Sequence, residues 1–406
     1  MIKPGGNGML KFLKNLKGDK VIWAVVFLLS MFSILAVYSS TGTLAYRNKA
    51  GNTEFYLLKH AAIMLMGFGL MYLSHLVKYT HYSRISQVAL FIAVPLLLLT
   101  LVTGTSINDA NRWLTLPVID INFQTSDFAK LALIIYVARM LSKKQDQIKD
   151  FKSAFLPIMV PILLVCMLIF PANLSTAAIL FATCIILMFI GRVNTKYILY
   201  LGGIMVLAMS IFILILMNSS NQGRVGTWKN RVETFFTIGG HTNPDDEYQV
   251  TQGKIAVATG GIFGKFPGNS TQRNYLPQAY SDFIYAIIVE EYGLIGGIVI
   301  LLLYTILLFR AIRIATKCEK IFGALLVLGV SFTLVFQAMI NMAIVAGLFP
   351  VTGQPLPLVS MGGTSLWFTS IAIGIMLSIS REVEKENEEP ETIPVKTENE
   401  QEYAAG

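Results

Sequence analysis

Charged residues are scarce in this sequence, and their scarcity excludes an ordinary soluble domain. Only 14% of the 406 residues are Asp, Glu, Lys or Arg, whereas 54% are hydrophobic. Soluble domains carry about 25% charged residues. The hydrophobic residues form blocks of about 18 to 25, the length that crosses a bilayer as an α-helix. The sequence therefore predicts an all-α, polytopic integral membrane protein.

Cysteines are also few, which excludes two further classes. Cys166, Cys184 and Cys318 show no CxxC or Cys/His spacing, so neither a zinc site nor a disulfide framework is expected. No cleavable signal peptide is expected, because the first apolar block has spanning length and no small-residue cleavage site follows it. The net charge of +8 is compatible with nucleic-acid binding. However, the cations lie in alternate short loops, a distribution that indicates a membrane protein instead.

Ten apolar segments predict ten membrane spans. They cover residues 21–41, 57–76, 86–104, 127–141, 154–171, 174–191, 197–217, 283–309, 321–347 and 363–380. The N-terminus and alternate loops hold 18 lysines and arginines, and the short loops of the other side hold 4. Positive loops face the cytoplasm. Both termini are therefore predicted inside, and the large loop 218–282, between spans seven and eight, outside.

The two ends of the chain differ in charge from the membrane domain, residues 21–380. Residues 1–20 hold five lysines among apolar residues at helical spacing. This pattern predicts a basic amphipathic segment on an anionic membrane surface, or else a solvated tail that follows the charge rule. Residues 381–406 are acidic and poor in apolar residues, so they are predicted to be a disordered cytoplasmic tail.

Residues 275–293 end a polar loop at Asp282 and then begin an apolar run that contains Glu290 and Glu291. A carboxylate at the mouth of a membrane helix is costly and is a functional-site candidate. On a helix that continues from Asp282, Glu290 lies on a similar side and Glu291 on the opposite side. Asp282 is therefore the candidate catalytic residue, with Glu290 in support. The alternative is that Asp282 caps the helix.

Two other outer loops carry cations. Asp127 and Lys130 are three residues apart, so they share a helical face and can pair, either at a site or as a structural ion pair. Arg112 beside Trp113 is a site cation or an interfacial anchor. Lys265 lies among the glycines of residues 260–268, whose amides can hold phosphate, although a flexible loop is the alternative.

Residues 347–365 contain three prolines, several glycines and no charge. Non-helical backbone at membrane depth is tolerated where it is buried in protein or lines a cavity. This segment is therefore predicted to be a re-entrant wall of a site, with a rigid connector as the alternative.

Six motifs carry a resemblance to a known family. They are NRWL at 111–114, FQTSDFAKLAL at 123–133, NLSTA at 173–177, QGKIAVATGGIFGK at 252–265, LPQAYSDFIYAIIVEEYGLIGG at 276–297 and GLFPVTGQPLPLVSMGGTSL at 347–366. Together they resemble the SEDS family of bacterial membrane proteins, which includes FtsW and RodA. The likeness runs from the first span to the tenth.

The resemblance implies a peptidoglycan glycosyltransferase that polymerises lipid II, an undecaprenyl-pyrophosphate disaccharide-pentapeptide, on the outer face of the bacterial cytoplasmic membrane. It implies a class B penicillin-binding protein and other divisome or elongasome membrane proteins as partners. The essential aspartate of the family's LPxAxxDF motif matches Asp282. The short chain, basic N-terminus and acidic tail favour the FtsW-like division branch over RodA-like elongation.

The sequence departs from the family pattern at several positions. The family's QPSEFAK is QTSDFAK in this chain, with Thr125 for proline and Asp127 for glutamate, so the carboxylate is kept on a shorter side chain. Asn173 replaces an acid, Gln278 replaces the glutamate of LPEA, and Phe266 replaces a glycine of GKG. The match at Asp282 is unaffected.

The implied reaction is a single displacement with inversion, in which Asp282 takes the proton of an acceptor hydroxyl and cations hold the leaving pyrophosphate. Candidate contacts to the pyrophosphate or glycan are Arg112, Lys130, Gln252, Lys265 and Ser360. Asp282 with Asp127 or Glu290 can hold a divalent cation, Mg²⁺ or Mn²⁺. The rival classes are a lipid II flippase or other transporter, which needs cytoplasmic access, and a scaffold, which tolerates neutralisation of Asp282.

Overall fold

Long α-helices make up most of the computed structural model, which describes residues 17–49, 51–107, 110–116, 121–218, 226, 229 and 244–388. The helices are α1 Lys20–Ser40, α2 Gly42–Lys49, α3 Thr53–Leu76, α4 Tyr79–Thr103, α5 Thr125–Lys143, α6 Leu156–Ile169, α7 Leu174–Ile190, α8 Thr195–Asn218, α9 Pro244–Gly260, α10 Ile284–Lys317, α11 Ile321–Val345 and α12 Thr364–Glu388. A π-helical turn, Phe151–Phe155, precedes α6, and 3₁₀ turns occupy Gln145–Gln147 and Gln272–Asn274.

Helices occur at all ten predicted spans. Among the described residues, eight helices are long and apolar enough to cross a membrane, with α6 extended by its π-helical turn. α7 is apolar but has only 17 residues, and α5 carries charges at Asp127 and Lys130. The polytopic all-α class is confirmed, whereas the count of ten spans and the sidedness of the termini stay predictions.

A small antiparallel sheet replaces part of the loop predicted between the third and fourth spans. Its strands are β1 Thr105–Ile107, β2 Ala110–Leu116 and β3 Ile121–Gln124, in the order β1-β2-β3. Trp113 pairs with Thr105 on one side and Gln124 on the other. Strands this short show too little alternation to be predicted from the sequence. β3 runs directly into α5, so the sheet fixes the end of α5 that carries Asp127.

The hydrophobic core lies around α11 and α12, whose apolar windows are the most buried of the candidate spans. α12 packs along α3, and α11 packs along α10 and α5. α8 is peripheral, because none of its apolar window is buried. The helices that bring functional motifs together are therefore the central ones.

The two predicted terminal segments are only partly described. Residues 1–16 and 389–406 lie outside the described residues. Asp19 is buried, accepts hydrogen bonds from the first amides of α1 and binds Arg310 Nε at 2.7 Å. α12 continues to Glu388, so the first eight residues of the predicted disordered tail are helical. Arg381, which is buried and donates to Leu76 O at 3.3 Å, ties this extension to α3.

Candidate functional site

Asp282 lies in the turn that precedes α10. The N-cap of this helix is Phe283, so the alternative that Asp282 caps it is wrong. The Ser281 hydroxyl donates to Asp282 Oδ1 at 3.1 Å, and Asp282 is half-buried. Burial, then the Asp282 carboxylate and Tyr56, raise the pKa of Tyr280. The Tyr280 phenol therefore stays protonated near the carboxylate at neutral pH.

Three successive main-chain carbonyls around Asp282 are held by donors from the C-terminal part of the chain. Tyr280 O accepts from Met361 N at 3.0 Å. Ser281 O accepts from Ser360 Oγ at 2.7 Å, and Asp282 O accepts from Asn341 Nδ2 at 2.8 Å. We call this set of contacts the carbonyl clamp; it holds the turn against α11 and the segment that follows it.

Residues 347–363, between α11 and α12, are non-helical, as predicted, and are buried or half-buried except at Leu348 and Phe349. We call this segment the wall. Gln354 Nε2 donates to Thr176 Oγ1 at 2.6 Å, and Gln337 Nε2 donates to Pro355 O at 2.9 Å. Ser360 was predicted to contact substrate, but its hydroxyl is buried, donates to Ser281 O and accepts from Leu356 N. Ser360 therefore holds the wall and the turn together.

Asp127 and Lys130 form the predicted ion pair, with Lys130 Nζ 2.7 Å from Asp127 Oδ1. Lys130 also approaches Gln337 Oε1 at 3.4 Å. Asp127 is buried, and its Oδ2 has no hydrogen-bond partner among the described residues. An ion pair with one unsatisfied oxygen is expensive at this depth, so it marks a place where a polar group can bind.

The Asp127–Lys130 ion pair lies at one end of a crevice between α5, α11 and α12. The crevice encloses about 410 Å³, part of it open to the surroundings. Its walls are Asp127, Lys130, Leu131, Ile134, Val330, Thr333, Leu334, Gln337, Ser365, Phe368, Thr369 and Ala372. The crevice is therefore polar at the end near the sheet and mainly apolar along the rest of its length.

Glu290 and Lys265 are bound to each other. Glu290 is fully buried, and its Oε1 lies 2.7 Å from Lys265 Nζ. Its Oε1 also accepts from Thr271 N at 3.1 Å, and its Oε2 accepts from Gln272 N at 3.2 Å. Both carboxylate oxygens are thus engaged, which speaks against Glu290 as a metal ligand. Lys265 is bound by Glu290 and, unlike Lys130, does not line the crevice, which speaks against its predicted role at a pyrophosphate.

The amides near Lys265 are also occupied. Gly264 N donates to Gly260 O, and Lys265 N donates to Glu290 O, each at 2.9 Å. A phosphate cradle needs open amides, so the glycine-rich loop at residues 260–268 does not fit the cradle predicted from the sequence. Gly260 and Gly264 serve close backbone contact with α10 instead, because an added Cβ would lie 2.2 Å from Val289 O and from Glu291 O, respectively.

The other predicted site residues are placed less directly. Arg112 lies on β2, and its side chain is outside the described residues. Gln252 is half-buried on α9, where the adjacent Gly253 packs against the Phe283 ring. Among the residues that the structure describes, no group of three or more His, Cys, Asp or Glu side chains could hold a metal ion.

The sequence analysis missed uncharged polar residues that organise the site. Asn341 and Gln337 lie one turn apart on α11, and Gln354 lies on the wall beyond it. A polar amide within an apolar span is the sequence signal of Asn341 and Gln337, whereas Gln354 lies in the segment predicted to be non-helical. Glu291, predicted to face away from Asp282, accepts from Ser270 N at 3.3 Å and from the Ser39 hydroxyl.

These features define a polytopic α-helical membrane protein with a carboxylate on a clamped turn and a crevice that is polar at one end. The sequence profile of the cell cycle proteins of the FtsW/RodA/SpoVE family matches residues 19–385. The chain belongs to this family, as its six motifs indicate.

Named relatives cover most of the chain. A "Probable peptidoglycan glycosyltransferase FtsW" from Trichlorobacter lovleyi is 35% identical over 366 residues, 89% of this chain and 93% of the relative. "Stage V sporulation protein E" from Bacillus subtilis is 32% identical over 91% of this chain and 98% of the relative.

Solved structures show the same fold. The rod shape determining protein RodA of Thermus thermophilus matches with a TM-score of 0.64 at 23% identity, over 91% of this chain and 98% of that one. A chain from a structure described as "Structural coordination of polymerization and crosslinking by a peptidoglycan synthase complex" matches with a TM-score of 0.68 at 23% identity, over 90% and 98%.

Proposed function

We propose that this protein is a peptidoglycan glycosyltransferase of the FtsW-like division branch, which polymerises lipid II into glycan strands. Relatives named FtsW, at 33–35% identity over 89% of the chain, support this activity and branch. The observation that carries the proposal is the clamped turn of Asp282, whose main-chain carbonyl binds Asn341, one turn of α11 beyond Gln337 at the polar end of the crevice.

The crevice suits a lipid-linked donor. On each of three helices, the residues that line the crevice change from polar to apolar over seven residues, about 10 Å along the helix axis. The pairs are Asp127 and Ile134 on α5, Gln337 and Val330 on α11, and Ser365 and Ala372 on α12. A polyprenyl pyrophosphate has the same division into a charged head and an apolar tail. Such a donor lies with its head towards Asp282 and its tail in the membrane.

The proposed reaction is a single displacement at the donor's anomeric carbon. A sugar hydroxyl of the acceptor attacks, and its proton passes to the Asp282 carboxylate as the new C–O bond forms. The bond from the anomeric carbon to the pyrophosphate breaks, and the electron pair leaves with the pyrophosphate. The anomeric carbon is inverted. A positioned carboxylate base contributes about 10²–10⁴ to such a rate.

The leaving pyrophosphate requires positive charge. Lys130 is the best placed of the proposed cations, because Asp127 and Gln337 hold its ammonium at the polar end of the crevice. Arg112 on β2 is a second candidate, and Gln252 on α9 is a candidate for contacts with the glycan.

A divalent cation, Mg²⁺ or Mn²⁺, is also part of the proposal. Mg²⁺ is usually bound through one or two carboxylates and substrate phosphates. We propose Asp282 and Asp127 as its ligands, because Asp127 Oδ2 has no hydrogen-bond partner among the described residues, and not Glu290, whose two oxygens are engaged. When bound, the ion would supply positive charge to the pyrophosphate. We expect EDTA to slow polymerisation and added Mg²⁺ or Mn²⁺ to restore it in the glycan assay, and an EDTA-resistant rate would exclude the ion.

The proposed location is the bacterial cytoplasmic membrane, with Asp282 on its outer side, where the lipid-linked sugar is polymerised. A class B penicillin-binding protein is the proposed partner that cross-links the strands, together with other divisome membrane proteins. Depletion of the protein in its host should then give undivided filaments. Loss of cell shape instead would indicate RodA-like elongation with elongasome partners.

Polymerisation of lipid II by the purified protein tests the function. We expect the wild-type protein in proteoliposomes to make glycan ladders, with a higher yield when the cognate penicillin-binding protein is present. If a thermal melt shows that the protein is folded and no ladders form in either condition, the proposed glycosyltransferase activity is contradicted. A lipid II flipping assay on the same proteoliposomes would then decide between a transporter and a scaffold.

Filling the crevice should weaken binding of the lipid-linked donor. Leu334 is buried and lines the crevice, so we expect Leu334→Trp to raise the KM for lipid II about tenfold, equivalent to about 1.4 kcal/mol, with a smaller change in kcat. Steady-state kinetics over a range of lipid II concentrations measures the effect. Leu302→Trp, at a 51% exposed position on α10, is the control, and equal kinetics from both variants would exclude the crevice.

A further inference from the structure

Asn341 connects α11 to the turn that carries Asp282. Its side chain is buried, and its Nδ2 donates to Asp282 O at 2.8 Å and to Gln354 O at 2.7 Å. Both neighbours are carbonyl oxygens, which fixes the orientation of the amide. We propose that Asn341 is a positioning residue, which fixes the backbone of Asp282 so that its carboxylate meets the acceptor hydroxyl. This inference rests on the proposed function.

The Asp282 carbonyl accepts a hydrogen bond from outside its own helix. In a regular helix this carbonyl would accept from the amide four residues later. Ala286 N instead donates to Phe283 O at 2.9 Å. A main-chain carbonyl left unpaired in protein costs free energy. Asn341 donates to this carbonyl from a neighbouring membrane helix.

The carbonyl clamp acts on both sides of the Asp282 Cα. The peptide plane before it carries Ser281 O, which Ser360 holds, and the plane after it carries Asp282 O, which Asn341 holds. Two flanking peptide planes define the φ and ψ of a residue. Asp282 therefore has a fixed Cα–Cβ direction, and its carboxylate retains only the side-chain rotations.

Fixing this direction matters for catalysis more than for folding. A general base must lie within about 2.6–3.2 Å of the proton it accepts, and a displacement of about 1 Å can lower a rate about 10²-fold. The Oδ1 of Asn341 is buried and has no partner within the part of the chain that the structure describes. An apolar residue would avoid this cost, so packing alone does not account for the amide.

The test compares Asn341→Leu with Ser331→Ala, a control on the same helix whose hydroxyl donates to Leu328 O within α11. We expect Asn341→Leu to lower kcat about 10²-fold and to leave the KM for lipid II within about twofold. Hydrogen exchange in peptides that cover residues 280–287 should rise in Asn341→Leu and not in the control. Ser360→Ala, which removes the other side-chain donor of the clamp, should act in the same direction.

A double mutant separates positioning from a structural role. If Asn341 acts through Asp282, adding Asn341→Leu to Asp282→Asn lowers the rate no further, whereas independent effects would multiply. Normal kcat in Asn341→Leu beside an inactive Asp282→Asn would overturn the inference and leave the proposed function intact. Unchanged hydrogen exchange would also overturn it. Absence of ladders from the wild-type protein would overturn the proposed function instead, and the positioning role with it.

Discussion

Asp282→Asn should lower the rate of lipid II polymerisation by about 10²–10⁴-fold without unfolding the protein. The amide has the shape of the carboxylate but cannot take the proton of the acceptor hydroxyl. The carbonyl clamp uses only main-chain oxygens around position 282, so it survives the substitution. Glycan ladders measured over time give the ratio of rates, and a thermal melt checks that both proteins are folded.

Two matched variants control for the change of charge. Asp150→Asn alters an exposed carboxylate that caps a π-helical turn by accepting from Ser153 N at 2.7 Å. Asn caps as well as Asp does, so full activity is expected. Asp282→Glu keeps the base on a longer arm and should recover part of the lost rate. Ladders of wild-type intensity from folded Asp282→Asn would remove the carboxylate from the chemistry.

The parts of this site that the sequence predicts are those that depend on short-range geometry. The Asp127–Lys130 pair follows from a spacing of three on one helix, and the helices follow from the length of the apolar blocks. The non-helical wall at residues 347–363 follows from its prolines and glycines. Each of these depends on chemistry that is local in the chain, so one sequence suffices to predict it.

The contacts that the sequence does not predict join distant segments. Asn341 and Asp282 are 59 residues apart in the chain, and nothing in either neighbourhood indicates the other. The predicted relation of Glu290 to Asp282 assumed one straight helix. α10 begins only at Ile284, so Asp282 does not lie on it, and the Glu290 carboxylate is engaged by the loop at residues 265–272. Beyond Glu290, α10 is interrupted at Gly293.

The interruption of α10 explains why this loop lies where it does. Leu294 N donates to Gly261 O at 2.9 Å, and Ile295 N donates to Ile262 O at 3.3 Å. The kink at Gly293 thus frees helix amides that the loop satisfies, much as a neighbouring strand would. In the membrane, helix-breaking glycine is tolerated where neighbouring groups satisfy the freed backbone. The loop and the kink therefore require each other.

Gly293→Ala should consequently destabilise the protein and lower its folded population strongly. Gly293 has φ 69° and ψ −172°, a conformation that is essentially restricted to glycine and costs another residue about 1–3 kcal/mol. An added Cβ would also lie 2.1 Å from Ile262 O, which is backbone and cannot rotate away. Because net stabilities are about 5–15 kcal/mol, the two effects together remove much of the folded population.

Gly69→Ala is the matched control for this substitution. Gly69 lies on α3, and an added Cβ there meets nothing within 4 Å. Alanine in a helix is about 0.5–1 kcal/mol more favourable than glycine, so we expect unchanged or higher stability. Size-exclusion profiles after detergent extraction, with thermal melts, measure both variants. A Gly293→Ala protein that elutes as a single peak and melts with the wild type would show that α10 can straighten. The loop would then not depend on the kink, and the burial of Glu290 would need another cause.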